Sequence, residues 1–224
     1  LLTTDLFVYN PQKGVEWGGM ISAPRLDDLQ CAFASMKGFI AQEDVKAMSV
    51  LAVFDNEEVG SSTKQGAAST FLFDTLNRVV KALGGDENTS RKALAHSFMI
   101  SADNAHAVHP NQPGISDPTN RPAINKGVVI KYNANQRYTT DAISAAVFKG
   151  LLNDLDMPYQ TFANRSDIMG GGTLGNISNT RVALNTVDIG LPQLAMHSAY
   201  ETAGDEDTEH LIRAITAFYN TELT

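Results

Sequence analysis

The sequence predicts an α/β fold in three layers, with helices on both faces of a mostly parallel or mixed central sheet. Three observations carry that prediction. Short continuous apolar runs recur along the chain, as expected of strands covered on both faces. Between them lie stretches of ten or more residues with apolar positions at helical spacing, and such alternation is the signature of helices crossing over a sheet. With 224 residues and 43% hydrophobic content, the chain is long enough to bury a sizeable core. It shows no internal repeat, low-complexity tract or linker, so residues 1–224 are expected to form a single domain.

The elements follow in order. Leu26–Ile40 reads as the first helix, with Asp27-Asp28 where acidic side chains complement free backbone N–H groups. Met48–Phe54 is a continuous apolar run and is expected to be a strand. Thr63–Leu83 places Ala67, Phe71, Leu76, Val79, Val80 and Leu83 at helical spacing and ends at Gly84-Gly85. His96–Ser101 and Gly127–Tyr132 are further strands. Asp141–Leu155 repeats the helical pattern, with Pro158 soon after as a stop. Arg181–Ile189 reads as a strand and Glu206–Phe218 as a closing amphipathic helix.

Composition excludes several classes of function. A net charge of −8 argues against nucleic acid or an anionic membrane as partner. The single cysteine, Cys31, cannot build an internal disulfide and suits a reducing compartment, so a cytoplasmic location is expected. No run reaches the roughly 18 apolar residues of a membrane span, and no signal peptide opens the chain. The chain starts Leu-Leu-Thr-Thr, without an initiator methionine, and reads as a processed product or a fragment.

In folds of this class ligands gather at the carboxyl ends of strands, and the unusual residues fall there. Glu57-Glu58 follow the Met48–Phe54 run, Asp103 follows His96–Ser101, and His197 follows Arg181–Ile189 and a Gly-Leu-Pro turn. Taken singly, each has an ordinary reading as a helix cap, a solvated loop or a surface histidine. Taken together, carboxylates from three segments and a histidine from a fourth would converge on one crevice. Packed carboxylates repel and resist ionising unless a cation neutralises them. Carboxylate and imidazole donors without a cysteine set suit Zn²⁺, Mn²⁺ or Co²⁺, not an iron–sulfur cluster. Of two adjacent glutamates, one can bind the metal while the other takes a proton from a water whose pKa the metal has lowered to roughly 7.

Five segments, RLDDL, FDNEEVGSSTKQGAAS, SADNAHAVHPN, IKYNANQRY and GLPQLAMHSAYE, stand in this order. Together they closely resemble the aspartyl aminopeptidase family of dinuclear metallopeptidases, from about Gly18 to the C-terminus. The resemblance implies a zinc-peptidase-like fold and two divalent metal ions, Zn²⁺ foremost with Mn²⁺ or Co²⁺ as alternatives. It makes Asp27 the residue bridging the two metals, Glu57 the general base and Glu58 a ligand. Asp103 then binds the other metal and His197 completes the second metal's shell, while Asp28 is not a ligand.

The resemblance also implies peptide substrates with N-terminal Asp or Glu. Lys131 would pair with the acidic side chain, since a buried carboxylate needs a charge partner. Tyr138 would stabilise the developing oxyanion and His109 would lie near the substrate, His106 being left open. In SDIMGGGTLGNI, Gly171 matches the family's single glycine, where backbone approaches a ligand; Gly170 and Gly172 depart from the pattern.

One departure is larger. The family's first metal ligand is a histidine in an upstream His-x-Asp motif, ahead of an inserted dimerisation domain. His96, His106, His109, His197 and His210 all follow RLDDL, and none has Asp two residues later. The resemblance is therefore to the C-terminal portion of a catalytic domain whose family members assemble into dodecamers, and a homo-oligomer is expected. Two other readings stay open: a catalytically incomplete metal-binding or structural fragment, and a related dinuclear hydrolase cleaving another amide, such as a carboxypeptidase or deacylase.

Overall fold

The computed structural model describes residues 2–222. β1 (Val15–Trp17) and β2 (Met20–Ala23) form a hairpin ahead of α1 (Leu26–Ile40), and α2 (Phe71–Ala82) and α3 (Glu87–Ala95) lead to β3 (Phe98–Ala102) and the short β4 (Ala105–His106). β5 (Val128–Tyr132), α4 (Ala142–Asp154), β6 (Tyr159–Ala163) and α5 (Leu174–Asn179) follow. The chain closes with β7 (Asn185–Gly190), β8 (Pro192–Leu194), β9 (Glu201–Gly204) and α6 (Asp205–Asn220).

The strands form two sheets. One has the order β3-β7-β5-β6 and the other β1-β2-β9-β8-β4. In the first, β3 runs parallel to β7 and β5 parallel to β6, while β5 meets β7 antiparallel. The sheet is thus mixed. Alternation of side chains along β5 gives it two covered faces. Val128 and Ile130 pack with Cys31 and Ala34 of α1, Phe148, Leu151 and Leu152 of α4, and Leu211, Ala214 and Ile215 of α6. Val129 lies on the other face with Ala105, Tyr138 and Phe162. Lys131, two residues on, shares that second face, and this alternation is what brings it to the site.

Local chemistry explains several boundaries. α4 starts at a reciprocal cap: the Asp141 carboxylate accepts from the Ser144 N–H, and the Ser144 hydroxyl accepts from the Asp141 N–H. Gly38 lets α1 cross α6 closely, since a Cβ there would stand 2.7 Å from Ile215. Gly127 opens β5 with φ +90°, where a Cβ would meet the Pro158 carbonyl oxygen at 2.0 Å.

Three expectations are corrected. Met48–Phe54 forms no strand, because none of the described strands runs beside it. A strand exists by pairing, whereas here the Ser49 hydroxyl donates to Gln42 Oε1 (2.5 Å), the Tyr219 hydroxyl to the Val50 carbonyl (2.9 Å) and, just past the segment, the Asp55 N–H to the Gln65 carbonyl (3.1 Å). Met48, Val50 and Val53 are correspondingly exposed. The helix expected over Thr63–Leu83 begins only at Phe71. Its first third is turns, with the Ala68 N–H returning to the Ser61 carbonyl at 3.1 Å. The strand expected from Arg181 begins at Asn185, because the N–H groups of Arg181 and Val182 bond the Ser178 carbonyl and close α5.

Candidate metal centre

Four loops carry the donors. Asp27 and Asp28 begin α1 with non-helical backbone angles (φ −84°, ψ 114° and φ −112°, ψ 29°) and are joined by a cis peptide bond. Glu57 and Glu58 lie in a turn, with the Gly60 N–H on the Glu57 carbonyl at 2.8 Å. Asp103 stands one residue beyond β3, and His197 lies in the loop between β8 and β9. Non-glycine residues in the left-handed region flank three of these loops: Arg25 (φ 62°), Asn56 (φ 60°), and Ala195 and His197 (φ 54° and 66°). Such conformations cost about 1–3 kcal/mol each and collect at functional sites.

The donors converge as two groups sharing Asp27. His197 Nε2 is 3.1 Å from Asp27 Oδ2 and 3.3 Å from Glu58 Oε2. Asp27, Glu58 and His197 each offer a ligand atom, all within 4.8 Å of one another, and the same holds for Asp27, Asp28 and Asp103. The Asp27 side chain is 4% exposed, yet its Oδ1 has no hydrogen-bond donor among the described residues.

Electrostatics follow from this crowding. Burial first, then Asp103, Glu58 and Asp28, push Asp27 up to about 9. Burial and Asp103 hold Asp28 well above the usual carboxylate range, against the opposing pull of Cys31, Lys131 and the Asn104 N–H. Glu57 is pushed up to about 7 by burial, Asp103 and Glu58, with Lys131 and His197 working the other way. A buried carboxylate oxygen without a donor, amid carboxyls that resist ionising, fits a divalent cation. Asp27, Glu58 and His197 form a mixed oxygen and nitrogen donor set suited to zinc.

Two residues beneath the donors escaped the sequence reading. Glu201, only 3% exposed, accepts the N–H of Asp27 at Oε2 (3.1 Å) and that of His197 at Oε1 (2.8 Å). It thus fixes the backbone of two candidate ligands at once. Asn104 donates its N–H to Asp28 Oδ1 (3.1 Å), while its carbonyl accepts from Lys131 Nζ (2.7 Å). Its side chain accepts from Cys31 and donates to Gln193 and to the Leu26 carbonyl. Both stand inside recognisable segments, Glu201 ending GLPQLAMHSAYE and Asn104 following Asp103, but only their burial marks them as supports.

Of the expected substrate residues, Lys131 touches the donor Asp103 and Tyr138 stands beside Lys131. Lys131, 3% exposed, bonds Asp103 Oδ2 at 3.1 Å. Burial works against its charge, but Asp103, Tyr138 and Asp188 outweigh it and hold its pKa above the usual lysine range. Tyr138 is buried with its ring 5.6 Å from Lys131 Nζ and 6.1 Å from the Phe162 ring. Burial raises its hydroxyl pKa. Of the two histidines in HAVH, His106 places its ring 6.3 Å from that of His197. His109 is engaged locally, accepting the Asn111 N–H at 3.2 Å. Gly171 has open space where a side chain would stand, whereas a Cβ at Gly170 would meet the Asn164 side chain.

Fold and donor set together give a carboxylate-rich candidate metal centre on an α/β scaffold. The family model described as aminopeptidase I zinc metalloprotease (M18) matches residues 1–219, and the chain belongs to that family. A relative from Clostridium novyi (strain NT), the probable M18 family aminopeptidase 2, is 48% identical over 223 residues, covering 98% of this chain and 52% of its own length. A probable aspartyl aminopeptidase of Ricinus communis is 38% identical over 89% of this chain and 42% of its own. Among solved structures, a chain in the cryo-EM structure of the Ape4 and Nbr1 complex superposes with TM-score 0.89 and 35% identity, over 95% of this chain and 42% of that one. The crystal structure of prApe1 superposes with TM-score 0.86 and 30% identity, over 94% and 46%. The chain spans about half the length of the curated relatives it matches. The family resemblance and the three-layer α/β expectation are both borne out.

Proposed function

We propose that this chain is the metal-binding portion of an aminopeptidase that releases N-terminal Asp or Glu from peptides. One observation carries the reading: Asp27 is shared by two donor groups, Asp27–Glu58–His197 and Asp27–Asp28–Asp103, with the half-buried Glu57 beside them. Asp27 as the bridge, with Glu58 and His197 on one side and Asp103 on the other, would hold two divalent cations, zinc foremost. When bound, they supply Lewis acidity to the attacking water and the scissile carbonyl.

The chain's own residues do the rest. Glu57, with a pKa near 7, is matched to accept the water's proton and return it to the departing amine. Lys131 supplies the positive charge that an acidic side chain needs once removed from water. The Tyr138 hydroxyl donates to the oxyanion, and His109 and Gly171 line the substrate's path. The intact protein is read as a cytoplasmic homo-oligomer; no helix among the described residues is long and apolar enough to cross a membrane.

A second reading, a catalytically incomplete unit, is favoured by one fact. The Asp27–Asp28–Asp103 group contains carboxylates alone and lacks the neutral nitrogen donor that the other group has. The test is hydrolysis of Asp-, Glu- and Leu-anilides by this chain with Zn²⁺, Mn²⁺ or Co²⁺ and with a chelator. Chelator-sensitive release of Asp or Glu is expected for the first reading. Metal binding by folded protein without turnover supports the second, and preferential release of Leu overturns the acidic specificity.

A further inference from the structure

Asp188 lies in the middle of β7, is 1% exposed, and belongs to none of the donor groups above. Its carboxylate accepts from the Thr139 N–H, the Thr139 hydroxyl (2.7 Å) and the Thr173 hydroxyl (3.0 Å). Its backbone is held as well, the Asp188 N–H donating to Thr140 Oγ1 at 2.9 Å. The two anchored segments are distant in sequence. Thr139 and Thr140 directly follow Tyr138, and Thr173 directly follows Gly170–Gly172. One carboxylate therefore ties the loop of Tyr138 to the glycine loop.

The approach is also sterically prepared. A Cβ on Gly175, in the first turn of α5, would stand 2.5 Å from both Asp188 Oδ1 and Ser101 Oγ. Removing a carboxylate from water costs several kcal/mol unless it is well satisfied, and an apolar residue would serve a strand centre better. The carboxylate acts instead as a clasp between two loops, and its charge also reaches Lys131 on the neighbouring strand.

We propose that Asp188 is a positioning residue that sets the spacing between the Tyr138 loop and the glycine loop, and through it the fit of the substrate's N-terminal residue. The inference rests on the reading above, in which Tyr138, Lys131 and the glycine loop face that residue.

The test compares wild type, Asp188→Asn and Thr173→Val by peptide-resolved hydrogen exchange and by kinetics on an Asp-anilide. Charge-assisted hydrogen bonds are worth about 1.5–3 kcal/mol, so Asp188→Asn is expected to speed exchange about tenfold or more in 136–140 and 170–175 together. Exchange in β5 is expected to stay unchanged. KM is expected to rise about tenfold and kcat to fall with it, because the glycine loop binds the substrate while the Tyr138 hydroxyl donates to the oxyanion. Thr173→Val, which leaves the carboxylate in place, is expected to loosen 170–175 more than 136–140. Unchanged exchange in either loop of Asp188→Asn, or a loss of kcat at constant KM, overturns the proposal. A wild type with no preference for Asp over Leu sinks the substrate reading instead, and the exchange data then judge the clasp alone.

Discussion

Lys131 Nζ stands 3.1 Å from Asp103 Oδ2, with side chains 4% and 13% exposed. The cation proposed to recognise substrate is thus ion-paired with a carboxylate proposed to bind metal. A divalent cation on Asp103 and the Lys131 ammonium draw on the same charge, so filling one site changes the other.

The first prediction follows from that pair. Lys131→Met leaves Asp103 buried without its partner, and breaking a buried pair on one side costs about 3–5 kcal/mol. Metal-free Lys131→Met is expected to melt well below wild type, and saturating Zn²⁺ is expected to raise its Tm more than that of wild type. Thermal melts with and without chelator check this. An equal metal-induced rise in both proteins would mean that metal and lysine do not share Asp103.

Glu57→Gln removes the proposed base while keeping the shape of the side chain. General-base removal typically costs about 10²–10⁴-fold in rate, and that loss is expected in kcat. Metal content by elemental analysis is expected to stay at the wild-type level, because Asp27, Glu58, Asp103 and His197 are untouched. A variant that lost metal in proportion to activity would make Glu57 a ligand.

Glu201→Gln tests the support beneath the metal centre. The amide offers one acceptor where two N–H groups, from Asp27 and His197, now each find an oxygen. Loss of an outer support typically weakens metal binding about 10–100-fold. Calorimetric titration with Zn²⁺ is expected to show that loss without global unfolding. Wild-type affinity in a folded variant would reduce Glu201 to a packing residue.

The metal-free chain is expected to lose stability as pH rises. Asp27 is pushed up to about 9 and Glu57 to about 7, burial being the largest cause for both. An acid that holds its proton more tightly when folded makes the folded state the more protonated one. Its contribution is present below the unfolded value near 4 and is lost as pH rises through about 7 for Glu57 and about 9 for Asp27. Asp86, Asp117 and Asp141, lowered by hydrogen bonds from neighbouring groups, act with opposite sign and only in the acid range. Chelated protein is expected to show a falling Tm from about pH 5 to about pH 9, and Zn²⁺ to reverse the trend because metal displaces those protons. A chelated Tm that climbs over this range would contradict the crowding of Asp27.

Much of the fold was legible because it is locally encoded. Asp141 and Ser144 cap α4 across three residues, and the spacing of Leu211, Ala214 and Ile215 on α6 needs no distant partner to be read. The donor set was legible in another way: RLDDL, the Glu57-Glu58 pair, Asp103 and His197 sit in long segments whose order resembles a known family. The Met48–Phe54 run misled because apolar character predicts burial, whereas a strand needs a neighbour to pair with.

What the sequence by itself determined was the alternation of helices and strands, the acidic net charge, and the residue types of the candidate donors. Each is a property of neighbouring residues or of composition. The tertiary structure decided which groups meet. Glu201 reaches the Asp27 N–H across 174 residues, Asp188 clasps loops 49 and 15 residues away, and Lys131 closes on Asp103 from a different strand. Such contacts are set by how β2 pairs with β9 in one sheet and β5 with β7 in the other, and they form only where that pairing delivers the partners.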